Sequence, residues 1–200
     1  KTRFTGVKTV DDWCDRLESY GMIIGHSTGT TGKLSFIPRS LVEWPAWQAT
    51  FNETSRAATG VDPKKDHLPT FFPGYRSGHH MMLKMLNLFI VPAAGGWDHW
   101  HTLYPTRVSA DLMSLAGRMA SAEEKGDLAK LLGPELMQKR DEMIAQGRRR
   151  EQDLQDWFTK LIHEFKGKRV RINGPFSDLL RVSLSGREKG MKCEFAPGSI

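Results

Sequence analysis

The chain has 200 residues, of which 39% are hydrophobic, 26% charged and 10% aromatic, and its formal net charge is +6. These values describe a soluble globular protein with one domain or part of a larger one. The longest mostly apolar stretch, 81–94, contains Lys84 and Asn87 and is too short to cross a bilayer. Cys14 and Cys193 lie far apart without ligand-spaced partners, which excludes a disulfide framework and a structural zinc site and favours the cytoplasm.

The order of the predicted elements indicates an α/β fold. Helices are predicted over 10–20, 45–58, 77–89, from 109, from 121, and over 134–147, 149–165 and 176–184; strands are predicted over 22–24, 34–37, 68–72, 100–104, 168–172 and 192–196. The first two strands are too close in sequence for a crossover helix and form an antiparallel hairpin. The later strand–helix repeats predict a mainly parallel sheet. The chain has no repeat or linker, it lacks an initiator Met, and it stops just after the last predicted strand. We therefore expect residues 1–200 to be a single fragment of a larger N-terminal domain.

Three local signals set boundaries within this order. Ser40 to Glu43 is a capping-box pattern that opens a helix, with Pro45 as the alternative first residue. The pair Pro73-Gly74 predicts the end of a strand. Apolar side chains of the helix over 149–165 recur at i, i+3, i+4, i+7, i+8 and i+11, a stripe that belongs to a core or an interface.

Nine residues between the first two strands, Gly25 to Lys33, combine four hydroxyl side chains, three glycines and one lysine; we call them the Gly/Thr loop. Glycines let backbone N–H groups turn toward a ligand, hydroxyls add donors, and Lys33 adds a charge suited to phosphate. A nucleotide-phosphate site and a simple hairpin turn both fit this composition. A P-loop does not, because Ser27 stands where its first glycine is required and a strand-like run follows Lys33.

The loop sequence Ser27-Thr28-Gly29-Thr30-Thr31-Gly32-Lys33 resembles the signature of the acyl-adenylate-forming ligases, Ser/Thr-Ser/Thr-Gly-Thr-Thr/Ser-Gly-x-Pro. This superfamily includes acyl-CoA synthetases, phenylacetate-CoA ligase and the acyl-protein synthetase of bacterial luminescence. Leu34 replaces the usual proline and Ser35 stands where many members carry lysine, which places the chain nearer the phenylacetate-CoA ligase and acyl-protein synthetase branch. The resemblance covers residues 22–200, with one specific motif and several softer ones.

The resemblance implies that a carboxylate attacks the α-phosphate of ATP to give acyl-AMP and pyrophosphate, and that CoA or a protein thiol then accepts the acyl group. In that scheme the residues from Ser27 to Lys33 hold the β- and γ-phosphates, Lys33 neutralises charge, and Mg²⁺ bridges the phosphates. Tyr75 is expected to line the acyl pocket, with core packing as the alternative. His26 is expected to contact the acyl substrate or phosphate, with a structural role at the strand end as the alternative.

The family's later parts, which include the aromatic-Gly-Thr-Glu segment, the ribose-binding aspartate and the catalytic lysine, do not occur in these 200 residues. The fragment is therefore not expected to complete the reaction alone, and no catalytic residue is assigned. The acid, the acceptor and the oligomeric state are not specified by the sequence.

The main alternative is a non-catalytic module that binds an anion, a nucleotide or nucleic acid. Basic runs at 148–150 and 166–171 would serve phosphate contacts, but no aromatic-interleaved or helix-turn-helix pattern accompanies them, so nucleic acid is not the expected partner. No metal site is expected either. The pairs His79-His80 and His99-x-His101 have no carboxylate at a spacing that would complete a zinc set with them. A hydrolase built on Asp98 and these histidines lacks a nucleophile motif.

Overall fold

A computed structural model describes residues 4–27, 33–126 and 134–192, without the side chains of 120, 134–140, 142, 143 and 146. It shows a mixed α/β protein with a two-stranded antiparallel hairpin and a three-stranded parallel sheet. The chain clusters into two compact units. The first unit is Lys1–Glu43, Ser77–Lys84 and Arg107–Arg150; the second unit is Trp44–Arg76, Met85–Thr106 and Glu151–Ile200.

The described elements alternate between helices and strands along the chain. The helices are α1 (Val10–Glu18), α2 (Trp44–Thr59), α3 (Met81–Met85), α4 (Val91–Ala94), α5 (Ala110–Glu124), α6 (Pro134–Glu164) and α7 (Phe176–Glu188). Short 3₁₀ turns cover Leu41–Glu43 and Trp97–His99, and a π-helical turn covers Leu86–Ile90. The strands are β1 (Met22–His26), β2 (Phe36–Ser40), β3 (Thr70–Ser77), β4 (Trp100–Arg107) and β5 (Arg171–Ile172).

Helix α1 forms where the sequence predicts it and packs on β1 and α5. Its N-terminus is closed by a capping box in which the Thr9 hydroxyl accepts from the Asp12 N–H and the Asp12 carboxylate accepts from the Thr9 N–H. The helix ends at Glu18, and Gly21 takes a positive φ of 80° in the turn that leads into β1.

The predicted antiparallel hairpin is confirmed. Strands β1 and β2 pair with a register that runs from Met22 opposite Ser40 to His26 opposite Phe36. The second strand begins at Phe36, later than the predicted 34, because Ser35 is engaged in closing the loop. It also accommodates Pro38, which is tolerated because a two-stranded ribbon leaves one edge of each strand unpaired.

The capping box predicted for Ser40 is wrong. Ser40 is the last residue of β2, and its hydroxyl accepts from the Val42 N–H within a 3₁₀ turn rather than opening an α-helix. Helix α2 begins at Trp44, so the alternative start near Pro45 is the one that the structure adopts. Pairing with Met22 keeps Ser40 extended, and this pairing outweighs the local pattern.

Strand β3 does not end at Pro73-Gly74 as predicted but continues to Ser77. Its neighbours in the sheet are β4 on one side and β5 on the other. Strand β5 is parallel to it and pairs with Thr70 and Phe71, so Pro73 lies beyond the β5 ladder. The predicted strand over 168–172 is reduced to the two residues of β5.

The helix predicted over 77–89 begins at Met81 and changes to a π-helical turn at Leu86. The N–H of Val91 bonds to the Leu86 carbonyl five residues earlier, and the next residue, Pro92, has no N–H to continue the α-helical pattern. The missing N–H of Pro92 therefore accounts for the π-helical turn over Leu86–Ile90.

Two pairs of predicted helices are each a single helix. The segment capped by Ser109 runs without a break through 121, and α6 runs through Gly147. A glycine inside a helix costs only about 1 kcal/mol relative to alanine, which a helix of 31 residues tolerates. The C-terminal half of α6 supplies the predicted apolar stripe, which packs in the core of the second unit around Leu154, Phe158 and Val182. The strand predicted over 192–196 falls almost entirely outside the described residues.

Candidate functional site

The stem of the Gly/Thr loop is closed by hydrogen bonds between two serines. The Ser27 N–H donates to the Ser35 carbonyl at 2.9 Å, and the Ser35 N–H donates to the Ser27 hydroxyl at 3.0 Å. Residues 28–32, which hold most of the predicted phosphate ligands, lie outside the described residues. These two hydrogen bonds anchor the loop at the point where it leaves and re-enters the hairpin.

Lys33 is exposed, and it forms no hydrogen bond or ion pair within the described part of the chain. An ammonium group without an internal partner is available to an anionic ligand. This placement is compatible with the predicted contact to phosphate, which stays a prediction.

His26 is fully buried at the end of β1. Its N–H donates to the His79 carbonyl at 2.8 Å, and its ring Nδ1 lies 2.8 Å from the Ser27 carbonyl oxygen. Its Nε2 is buried without a hydrogen-bond partner among the described residues. The rings of Phe36 and His80 approach it edge-on, with centroids 6.5 and 5.7 Å away. The geometry supports the structural role at the strand end that the sequence left open.

The ring of His80, which lies next to the ring of His26, is about half buried in the same unit. Burial, together with the neighbouring His26 ring, lowers the pKa of His80 below its usual value. His80 therefore contributes a neutral, weakly basic ring beneath the loop stem rather than a cation.

Tyr75 belongs to the second unit, whereas the loop stem belongs to the first. It lies in β3 and is half buried, and its ring packs against Tyr104 with the ring centroids 4.8 Å apart. This contact is the core packing that was the alternative to an acyl-pocket wall. The role of Tyr75 toward an acyl group is untested.

A charged cluster in the first unit was not anticipated from the sequence. We call it the His79 cluster; it contains Asp11, Asp15, Glu18, His79, Lys84 and Arg107. The buried His79 ring places Nε2 2.9 Å from an Asp15 oxygen and Nδ1 3.2 Å from a Glu18 oxygen. Since a carboxylate oxygen only accepts, the contact with Asp15 is a hydrogen bond that the Nε2–H group of His79 donates.

Cations complete the cluster on both sides of the histidine. The Lys84 ammonium lies 2.5 Å from Glu18, and Arg107 contacts Asp15 at 2.9 Å and Asp11 at 3.3 Å. Burial opposes ionisation of both Asp15 and Glu18, but hydrogen bonds from these cations and from His79 outweigh it, so the pKa of each carboxyl is lowered. The cluster fastens α1 to the segments that carry His79 and Arg107.

Asp15, Glu18 and His79 also present ligand atoms within 4.8 Å of one another, a spacing that a metal ion could use. Cations of the chain itself already engage these carboxylates: Lys84 pairs with Glu18, and Arg107 pairs with Asp15 and Asp11. No carboxylate stands at a zinc-ligand spacing from His79 in the sequence, but the fold brings Asp15 and Glu18 of α1 next to it.

This cluster could not be found from motif spacing alone. Asp15 and Glu18 are three residues apart on one helix, which is a signal, but His79 follows more than sixty residues later in sequence. In the sequence, His79 is instead adjacent to His80. The other histidine pair separates: His99 is exposed, whereas His101 packs against Phe71 and Phe165 with centroids 5.6 and 4.9 Å away. Burial lowers the pKa of His101.

Comparison with protein-family models, curated proteins and solved structures finds no match to this chain. Among the residues that the structure describes, no helix combines the length and the apolar character needed to cross a membrane.

Proposed function

We propose that the protein takes part in ATP-dependent activation of a carboxylic acid as an acyl-adenylate, with transfer of the acyl group to CoA or another thiol. The observation that carries the proposal is the seven-residue sequence from Ser27 to Lys33, placed between two antiparallel strands. In the ligases that this sequence resembles, the same loop joins two strands and holds the pyrophosphate part of ATP.

Two features of the described residues support the proposal. A P-loop would lead directly into a helix, but the loop here returns into β2 and is closed by the Ser27–Ser35 pair. Lys33 stands at the exit of the loop, exposed and without an ion pair in the described part of the chain. A loop of this composition has hydroxyls, backbone N–H groups and one cation with which to bind an anion.

The residues of this chain have the following roles in the proposed reaction. Thr28, Thr30 and Thr31, with the glycine N–H groups beside them, bind and orient the β- and γ-phosphates. Lys33 neutralises negative charge that develops as pyrophosphate departs. Mg²⁺, when bound with ATP, supplies further charge neutralisation at the phosphates. Tyr75 is a candidate contact for the acyl group.

The test is carboxylate-dependent exchange of pyrophosphate into ATP, measured in the full-length protein. We expect exchange with a suitable acid, and a loss on the order of 10²-fold in Lys33→Ala and in the double variant Thr30→Ala, Thr31→Ala. Lys166→Ala and Thr106→Ala, which change exposed residues of the same types elsewhere, are matched controls and should exchange at the wild-type rate.

The outcomes separate the proposal from its alternatives. Equal exchange in the loop variants and the controls would remove the loop from the mechanism. Binding of Mg-ATP without exchange for any acid would indicate a nucleotide-binding module. Salt-sensitive binding of DNA through the basic runs at 148–150 and 166–171 would contradict the ligase proposal in favour of a nucleic-acid-binding protein.

A further inference from the structure

We infer that His26 is a positioning residue for the Gly/Thr loop: its Nδ1–H holds the Ser27 carbonyl and so fixes the direction in which the loop leaves β1. The inference rests on the proposed function for its catalytic consequence. The hydrogen bond from His26 to the Ser27 carbonyl, which we call the clamp, rests on the contacts of His26 alone.

The contact with the Ser27 carbonyl determines the tautomer of the His26 ring. The Ser27 carbonyl can only accept, so the 2.8 Å contact requires the proton on Nδ1. In this tautomer the lone pair is on Nε2, which is buried without a hydrogen-bond partner in the described part of the chain. A buried, unsatisfied acceptor costs free energy that an apolar side chain of similar size would not. A histidine here is therefore explained by its Nδ1–H rather than by packing.

The backbone around the ring leaves it little freedom. The His26 N–H is tied to the His79 carbonyl at 2.8 Å, and the ring is enclosed by Phe36 and His80. The preceding Gly25 lies so close to Met81 that a Cβ there would come within 2.5 Å of its methyl carbon. A donor held this firmly restrains the acceptor to which it bonds.

Ser27 is consequently held at three points. Its N–H donates to the Ser35 carbonyl, its hydroxyl accepts from the Ser35 N–H, and its carbonyl accepts from His26. Every polar group of Ser27 is used in closing the stem, although its hydroxyl proton remains able to donate. We therefore assign Ser27 to the stem of the loop rather than to phosphate binding. A stem that is ordered before the ligand binds reduces the conformational entropy lost on binding.

The experiment compares His26→Leu, which removes the donor, with His26→Asn, whose amide nitrogen stands near the position of Nδ1. Exposed His163→Leu is the control. In His26→Leu we expect amide hydrogen exchange at Ser27 and Ser35 to accelerate at least tenfold, and the KM for ATP in pyrophosphate exchange to rise about tenfold, with a smaller change in the KM for the acid. His26→Asn should restore most of the amide protection and most of the wild-type KM for ATP, since a small polar side chain would not rescue a merely structural loss.

Two results would overturn the clamp. One is unchanged exchange protection in His26→Leu; the other is an Nε2–H tautomer of His26 in the ¹⁵N NMR spectrum of the wild-type protein, which needs no variant to fold. Faster amide exchange with an unaltered KM for ATP would overturn the positioning role. If the wild-type protein shows no pyrophosphate exchange, the ligase proposal and the catalytic role of His26 both fail. The tautomer and the amide hydrogen exchange still test the clamp in that case.

Discussion

At Gly25, strand β1 lies close to Met81 at the start of α3. A Cβ at this position would meet Cε, Sδ and Cα of Met81 at 2.5, 3.0 and 3.1 Å. The methionine tip can move, but its Cα cannot move without shifting α3. The sequence associates this glycine with loop flexibility, whereas the structure uses it inside a paired strand for close approach.

We expect Gly25→Ala to destabilise the protein by about 1–3 kcal/mol, because the new methyl group overpacks this contact. Gly147→Ala is the matched control: its Cβ would meet nothing within 4 Å in helix α6, so the same substitution should stabilise by up to about 1 kcal/mol. Urea unfolding of the three proteins measures both effects. Equal stabilities for the two variants would show that the contact with Met81 is not tight.

Cys14 is a second residue whose environment decides its chemistry. It is fully buried in α1, and burial, together with the negative charges of Asp11 and Glu18, raises the pKa of its thiol to about 12. A thiol with this pKa is almost entirely protonated at pH 8.

The expected result is that Cys14 in a Cys193→Ser background reacts with a disulfide reagent at pH 8 more than about a thousandfold more slowly than a free thiol. One equivalent should react after denaturation in guanidinium. Rapid labelling of the native protein would mean that α1 opens readily or that Cys14 is exposed in solution.

At the scale of elements, the His79 cluster joins α1 to the chain on either side of it. The pKa values of Asp15 and Glu18 are lower in the folded protein than in the unfolded chain. The unfolded state therefore binds more protons in the acid range, so this stabilisation is present in full above about pH 4.5 and is lost as the pH falls through the folded-state values.

Glu18→Gln should destabilise the protein by about 1–3 kcal/mol near pH 7, because Lys84 and His79 lose a charged acceptor. The difference from wild type should shrink as the pH falls below 4.5. Glu53→Gln, which breaks an exposed pair with Arg56, is the control and should change stability by less than about 0.5 kcal/mol. Thermal unfolding between pH 3 and 7 measures the pH dependence, and a constant difference across that range would contradict it.

The boundaries of elements depended on their partners. Ser40 carries a helix-start pattern but pairs with Met22 as a strand. Pro73 carries a strand-end signal, but β3, which is hydrogen-bonded to β4, continues past it to Ser77. In both cases a local preference worth about 1 kcal/mol was outweighed by pairing between segments distant in sequence, which no local pattern records. The start of α5 after the capping residue Ser109, which depends on neighbouring residues, agreed with prediction.

For the whole molecule, a ligand that binds only the folded state raises its free energy of unfolding with the logarithm of the ligand concentration divided by Kd. If the Gly/Thr loop holds ATP, Mg-ATP at 100 times its Kd should stabilise the protein by about 2.7 kcal/mol, a rise in Tm of roughly 5–10 °C for a chain of this length. Lys33→Ala should reduce the shift and Lys166→Ala should retain it. The same shift in all three proteins would place any ATP site elsewhere.

The sequence by itself determined the antiparallel hairpin, the α/β order and the loop composition that motivates the ligase proposal. These follow from short-range spacing, since a short connection allows only an antiparallel pair and helical periodicity is visible within one segment. The tertiary structure alone decided the surroundings of His26, the three contacts that hold Ser27, and the meeting of His79 with Asp15 and Glu18. Those contacts join residues from separate elements, and packing rather than sequence spacing sets which side chains meet.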